Sequence, residues 1–420
     1  MTLTVVIVCL ITTITASQDF NFFFKVVEWS PDGSMIAVGG SAEICDSTTP
    51  NPQRLRVLNS ETLVEVYSIP DIGCGIADVS WSPTSDAIAI ADTSIGVRVW
   101  DLSIQDYDGN ILVPAAPGPP LSVSWSPDGS SIALATRSGL VTIVNVDTGE
   151  RSQRFNVTGA SVDWDPTGTQ LAVASFNEFI LFDAVNPSVA LDSIQFDFGM
   201  ISDINWSQDD NFIIGYSIGQ KIRVASTTPF NPSLEINTDF LTDIDLSPTR
   251  NLIAGVGPGS PISVWNASDG TLVTTISVSN VYGLTWSPDG SHLTYVGDVS
   301  SGVTTLDLPN SLAGIDQTVT DSDSSGSENV ILDGSASTDS DGTIVSYVWT
   351  ENGTQIATGM TPTVDLAVGA HTITLTVTDD DGLTATDDVT VNVLEPSSIT
   401  SFTLVNADTD TDFYDSTLSI

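Results

Sequence analysis

One short phrase recurs seven times in the first three quarters of the chain, and nothing else limits the fold as tightly. Its copies occupy Val27–Gly33, Val79–Pro83, Val123–Gly129, Val162–Pro166, Ile204–Ser207, Ile244–Pro248 and Leu284–Gly290; the fullest reads Val-Ser-Trp-Ser-Pro-Asp-Gly. Most successive copies lie about 40 residues apart, which suits one small sheet per repeat. The first interval is longer because a Ser/Thr/Pro-rich insertion sits around Ser41–Gln53. A repeat of this kind is a structural unit first, so function has to be sought in what departs from it.

Within each copy aliphatic residues alternate with polar ones up to the Trp, the period-2 mark of a strand. The Pro-Asp-Gly that follows is turn chemistry: Pro presets φ, Asp bonds nearby backbone, and Gly accepts positive φ. Further short apolar runs complete each unit, as in Ser131–Ala135, Val97–Asp101 and Thr271–Thr275. Four short antiparallel strands per unit, stacked face to face, bury a core that no single unit could bury alone. The fold class is all-β, a β-propeller, and the periodic Trp residues read as packing between sheets, not as a ligand cage.

With Val-Arg-Val-Trp-Asp at 97–101 and Ile-Ser-Val-Trp-Asn at 262–266, the repeats resemble the WD40 family with seven blades over residues 18–313. The Gly-His pair that usually precedes the first strand is missing, so the family's buried His–Ser–Asp–Trp network is not expected, and a TolB-type propeller is the competing resemblance. The resemblance implies that residues before Trp29 supply the last blade's fourth strand. It also implies that the loops entering each first strand converge at one mouth of the channel. Phe23, Phe24, Met200, Phe240 and Tyr282 are then candidate binding residues, rimmed by Asp71, Asp203 and Asp243; the alternative is that these side chains turn inward and plug the channel. In the same geometry the loops carrying Cys45 and Cys74 share a face, which makes a Cys45–Cys74 disulfide feasible in an oxidising compartment.

After Ser311 the repeat stops. Leu332–Ser337, Asp339–Ile344, Tyr347–Trp349 and Leu375–Asp379 occur in an order and spacing that resembles a PKD domain, an Ig-like β-sandwich, over residues 314–395. Alternating strands between Asp/Gly turns support a sandwich independently. Asp339, Asp341, Asp379 and Asp381 are hard oxygen donors in turns and candidate Ca²⁺ ligands, although Asp-Gly is also ordinary turn chemistry. No other cofactor is expected. Residues 396–420 read as a tail or as the opening of a further β-module.

The formal net charge is −43, with 53 Asp and Glu against 10 Lys and Arg. Such a field repels phosphate backbones, which excludes nucleic acid as a partner class. Residues 1–17 contain an apolar run, Thr4–Thr15, that resembles a secretory signal and is too short for a stable membrane span. Alternatively, part of that run is the strand that closes the ring. The two histidines, His292 and His371, are read as ordinary surface or strand residues, and no metal-binding spacing, nucleophile elbow or phosphate loop is present. The expected function is a secreted or cell-surface, non-enzymatic scaffold that binds a protein. The alternatives are a polysaccharide-binding or enzyme-accessory protein and, with least support, a hydrolase with its site in the channel.

Overall fold

The computed structural model describes residues 22–396, apart from 43–54, 71, 74, 115–117, 157–158, 185–189, 198–200, 209, 211, 218–219, 279, 298–302, 340–341 and 381–382. The chain divides into two compact units: residues 1–310 with 338–345 and 378–385, and residues 311–337, 346–377 and 386–420. The described residues are all-β.

In the first unit the strands form successive antiparallel meanders, six of four strands and a last one of three among the described residues. Each begins with the recurring phrase, so the first strands are Phe22–Trp29, Ile76–Trp81, Pro120–Trp125, Gly159–Trp164, Ile201–Trp206, Asp243–Leu246 and Val281–Trp286. Each first strand neighbours that of the next sheet, and Phe22–Trp29 also neighbours Val281–Trp286, so the series closes on itself. At that closure only glycine fits: a Cβ on Gly283 would lie 2.5 Å from the Lys25 carbonyl oxygen.

The apolar cores lie between sheets. Leu55, Val57 and Ile69 of the first sheet pack with Val79, Trp81, Ile88 and Trp100 of the second. Phe24, Val27, Trp29 and Ile36 pack with Val296 and Val303 of the last. The Trp of each phrase is buried, as its periodicity predicts, and Trp164 further donates its indole N–H to the Ser124 carbonyl of the preceding sheet at 3.1 Å. In place of a His–Ser–Asp–Trp network, Trp29 Nε1 donates to Thr294 Oγ1 (3.0 Å), which pairs with Thr305 Oγ1 (3.0 Å).

The turns follow their chemistry. Gly33, Gly129, Gly168 and Gly290 all hold positive φ, and Ser85 holds φ 60° where the second copy lacks the glycine. In the first copy Ser30 Oγ donates to Asp32 at 2.7 Å and accepts the Met35 N–H at 2.9 Å. The third and last copies repeat this arrangement with Ser126 and Asp128 and with Ser287 and Asp289.

The sandwich sequence forms a five-stranded sheet with Gln317–Thr320 parallel to Thr384–Leu394, and a two-stranded sheet of Ser327–Ile331 with Thr363–Ala367. Ile373, Leu375 and Val377 alternate inward with Val389, Val391 and Val393 around the fully buried Trp349. The Trp349 indole donates to the Gly359 carbonyl at 2.9 Å.

The closing-strand expectation falls mostly outside the described residues: 18–21 are not described, and Phe22–Lys25 lie in the first sheet's own first strand. Cys45 and Cys74 also lie outside them, as does the apolar run at 4–15.

Candidate functional site in the channel

The first strands have a fixed polarity. Val27, Val79, Val123, Val162, Ile204, Ile244 and Leu284 are buried in the inter-sheet cores, so the residue on either side faces the opposite way. All seven strands thereby line one cavity of about 360 Å³. One residue before the aromatic, or before Leu246 in the sixth copy, stand Glu28, Ser80, Ser124, Asp163, Asn205, Asp245 and Thr285. Three residues before it stand Val26, Asp78, Ser122, Ser161, Asp203, Asp243 and Gly283. Two layers result, each holding three carboxylates.

These side chains join neighbouring sheets. Asp78 accepts its own strand's Val79 N–H (2.9 Å) and the Val123 N–H of the next sheet (2.9 Å). Asp163 likewise accepts Trp164 N–H (3.0 Å) and Trp206 N–H (2.8 Å), with Ser124 Oγ donating at 2.9 Å. Asp243 bridges Ile244 to Leu284, and Asp245 bridges Leu246 to Trp286. Ser80 and Ser122 use single hydroxyls for the same purpose, accepting Trp125 N–H (3.0 Å) and Val162 N–H (3.3 Å). Each such acceptor satisfies a strand N–H that faces the channel and has no ladder partner on that side.

Their electrostatics are unusual. The carboxylates are half-buried, and the exposed part opens on the cavity. Desolvation raises Asp78 and Asp245 to about 7, and Asp163 and Asp203 to about 6, against the backbone hydrogen bonds that favour the anion. Desolvation also lifts Glu28 and Asp243 well above the usual carboxylate range, reinforced by repulsion from Asp78 and Asp203 respectively.

A second cavity of about 600 Å³ shares Glu28, Asp163, Asn205, Asp245 and Thr285 with the first. Its other walls include Trp29, Trp206 and Trp286 with Pro31, Pro248 and Pro288.

The residues singled out in the sequence are only partly brought together. Asp203 and Asp243 line the channel. Phe24 is buried in the first sheet's core. Phe240 remains 48 % exposed and Tyr282 is half-buried, and the adjoining Thr242 hydroxyl donates to the Tyr282 carbonyl at 3.1 Å. The Phe23 side chain, Met200 and Asp71 lie outside the described residues, as do Asp341 and Asp381. Asp379 is buried and accepts the Leu383 N–H at 2.7 Å, while Asp339 is half-buried. Among the described residues no group of three or more His, Cys, Asp or Glu is placed to hold a metal ion. His292 pairs with Asp307 and Ser291, and His371 with Glu351 and the Ala367 carbonyl.

Sequence reasoning did not single out Glu28, Asp78, Asp163 and Asp245. Their signal was a constant offset of one or three residues before the aromatic.

Comparison with known proteins agrees with this geometry. A family model described as "Anaphase-promoting complex subunit 4 WD40 domain" matches residues 79–163, and a second, described as a PKD domain, matches residues 313–393. The β-propeller domain of Myceliophteria thermophila Cps50 (Swd1) superposes with a TM-score of 0.59 at 14% identity, covering 67% of this chain and 96% of that domain. The fold is a WD40-like β-propeller followed by a PKD-like sandwich. Curated relatives of the propeller include WD repeat-containing protein AAC3 of Dictyostelium discoideum, 28% identical over 104 residues, 24% of this chain and 21% of the relative. Another is Actin-interacting protein 1 of Drosophila melanogaster, 24% identical over 266 residues, 62% of this chain and 38% of the relative. The matches thus span well under half the length of these relatives. Among the described residues no helix is long and apolar enough to cross a membrane.

Proposed function

We propose that this chain is a non-enzymatic scaffold presented outside the cell, which captures a protein partner through loops at one mouth of the propeller. The observation that carries the reading is Phe240: a large aromatic, nearly half exposed, in the loop entering the sixth first strand and next to the Thr242–Tyr282 contact. Aromatic anchors of this kind concentrate interface energy. The WD-repeat relatives support a protein-binding role, and the name of one of them, Actin-interacting protein 1, records a protein partner. The signal-like run at 4–15 and the PKD-like sandwich support presentation outside the cell.

Affinity capture from the extracellular fraction of the native cells tests the reading, with wild type and Phe240→Ala compared side by side. The variant is expected to lose most of the captured partner while its melting temperature stays within about 1–2 °C, since a surface truncation changes stability little. Equal capture by both proteins would remove Phe240 from the interface. Binding to immobilised polysaccharide alone would favour the accessory role, and turnover of a glycoside or peptide substrate would overturn the non-enzymatic reading.

A further inference from the structure

Four asparagines in the chain, Asn156, Asn205, Asn266 and Asn352, stand in the Asn-X-Ser/Thr sequence that accepts an N-linked glycan. The fold sorts them. Asn205 lines the channel, where its side-chain amide donates to Asp203 Oδ2 and to the Ile244 carbonyl, each at 3.3 Å. Asn266 is half-buried and caps its turn, accepting the Ser268 N–H at 2.8 Å and the Asp269 N–H at 3.3 Å. The Asn156 side chain lies outside the described residues.

Asn352 differs from all of these. It stands at the tip of the hairpin between Ile344–Glu351 and Thr354–Thr358 of the sandwich. Glu351 pairs directly with Thr354, which leaves Asn352 and Gly353 as a two-residue loop. Both hold positive φ, 49° and 74°, the Asn-Gly pattern that suits the twist of a tight hairpin. Asn352, Gly353 and Thr354 are all exposed, so the whole acceptor sequence stays open in the folded chain.

What adjoins the loop gives a sugar there a purpose. Thr354–Thr358 is the edge of the five-stranded sheet, paired on one side only. Its sequence, Thr-Gln-Ile-Ala-Thr, carries no charge and no proline, the usual devices that keep a sheet edge from pairing with another chain. Met360, just past its end, is 47% exposed. The strand spans only about 17 Å at the usual rise per residue, so an oligosaccharide rooted at its first turn covers the free edge.

We infer that Asn352 is an N-glycosylation site and that its glycan shields this edge from pairing with a second copy of the chain. The inference rests on the reading that the chain is presented outside the cell. The co-substrate is a polyprenyl-diphosphate oligosaccharide. Asn352 Nδ2 attacks its anomeric carbon, the C–O bond to the diphosphate breaks as the C–N bond forms, and Nδ2 gives up one proton.

The full chain, secreted from a eukaryotic host behind an added cleavable leader, tests the site independently of where the native chain resides. Peptide–N-glycosidase F in heavy-oxygen water marks each asparagine that carried a glycan, and peptide mass mapping reads the marks. The expected result is a mark on Asn352 and none on Asn205. An unmarked Asn352 in the folded, secreted protein would overturn the proposal. A mark on Asn352 here, beside a native chain found only inside the cell, would refute the extracellular reading and uphold the site. Thr354→Ala removes the acceptor sequence while keeping the Asn-Gly turn. In sedimentation velocity it should associate as concentration rises where the glycosylated wild type does not, and adding Gln355→Lys should reverse this, because a charge blunts a sheet edge without any sugar. If Thr354→Ala does not fold, trimming the glycan of folded wild type with an endoglycosidase gives the same reading. Trimmed or variant protein that associates no more than wild type would overturn the shielding role.

Discussion

The same residue type lives two different lives in the propeller. In the turns, aspartates are surrounded by short donors and open to water. Hydrogen bonds from Ser126 and Ser130 hold Asp128 below its ordinary value; for Asp289, donors from Ser287 and Ser291 outweigh the opposing effect of burial and bring it to about 2. In the channel, aspartates with comparable numbers of donors are pushed up to about 6 or 7, because desolvation exceeds what those donors return. Hydrogen-bond count alone therefore does not set the charge of a carboxylate; access to water decides between the two outcomes. The formal net charge of −43, which counts every acid in the full chain as ionised, is thus an upper bound in magnitude on what the folded chain carries at neutral pH.

The strongest way to sharpen that contrast starts from the apolar frame both sites share. Trp164→Ala should cost about 3–5 kcal/mol, the range for truncating a buried aromatic, since it empties an inter-sheet core and orphans the Ser124 carbonyl. A urea midpoint close to wild type would mean that the sheets are held by something other than these cores. Next comes a matched pair. Asp163→Ala should cost about 2–4 kcal/mol, because it strands two backbone N–H groups and the Ser124 hydroxyl in a half-buried layer. Asp128→Ala, which frees donors that water can reach, should cost no more than about 1 kcal/mol. If the two losses are equal, the distinction between channel and turn disappears.

The smallest expected effect is a pH dependence of opposite sign in the two places. Channel groups hold protons in the folded state up to about pH 6–7 while the unfolded chain releases them near 4, so folding binds protons in that window. Stability contributed there is lost as pH rises, and the melting temperature should increase by roughly 5 °C from pH 7.5 to 5. The turn carboxylates act oppositely: their contribution is present above about pH 4 and lost as pH falls toward 2. Differential scanning calorimetry should therefore show a maximum near pH 4–5, and Asp245→Asn should flatten the upper limb only. A melting temperature that climbs steadily from pH 5 to 7.5 would contradict the raised channel values.

Much of this was readable in the residues. The phrase around each Trp gave strand, turn and core at once, because alternation and Pro-Asp-Gly chemistry are local. Its fixed offsets even marked the channel positions. They do not by themselves disclose a channel, because alternation tells which residues share a face and not what that face meets. Asp78 and Asp101 are equally polar in the sequence, yet one looks into a closed ring and the other into solvent. The expected binding residues part company for a related reason: among the described ones Phe24 is claimed by an inter-sheet core, while Phe240 stays exposed and Tyr282 half-buried. Cores between curved neighbours are long-range features, and a single strand does not disclose them.

A ring also changes how repeats share their fate. An open stack of sheets has one junction fewer than it has members and can fray from either end. Where Val281–Trp286 meets Phe22–Trp29 the series has no end, so every sheet has two neighbours and none can peel away alone. Loosening one junction strains both flanking sheets while the rest still hold them in place. The repeat therefore behaves as one cooperative body, and a lesion in any single copy is felt around the whole circle.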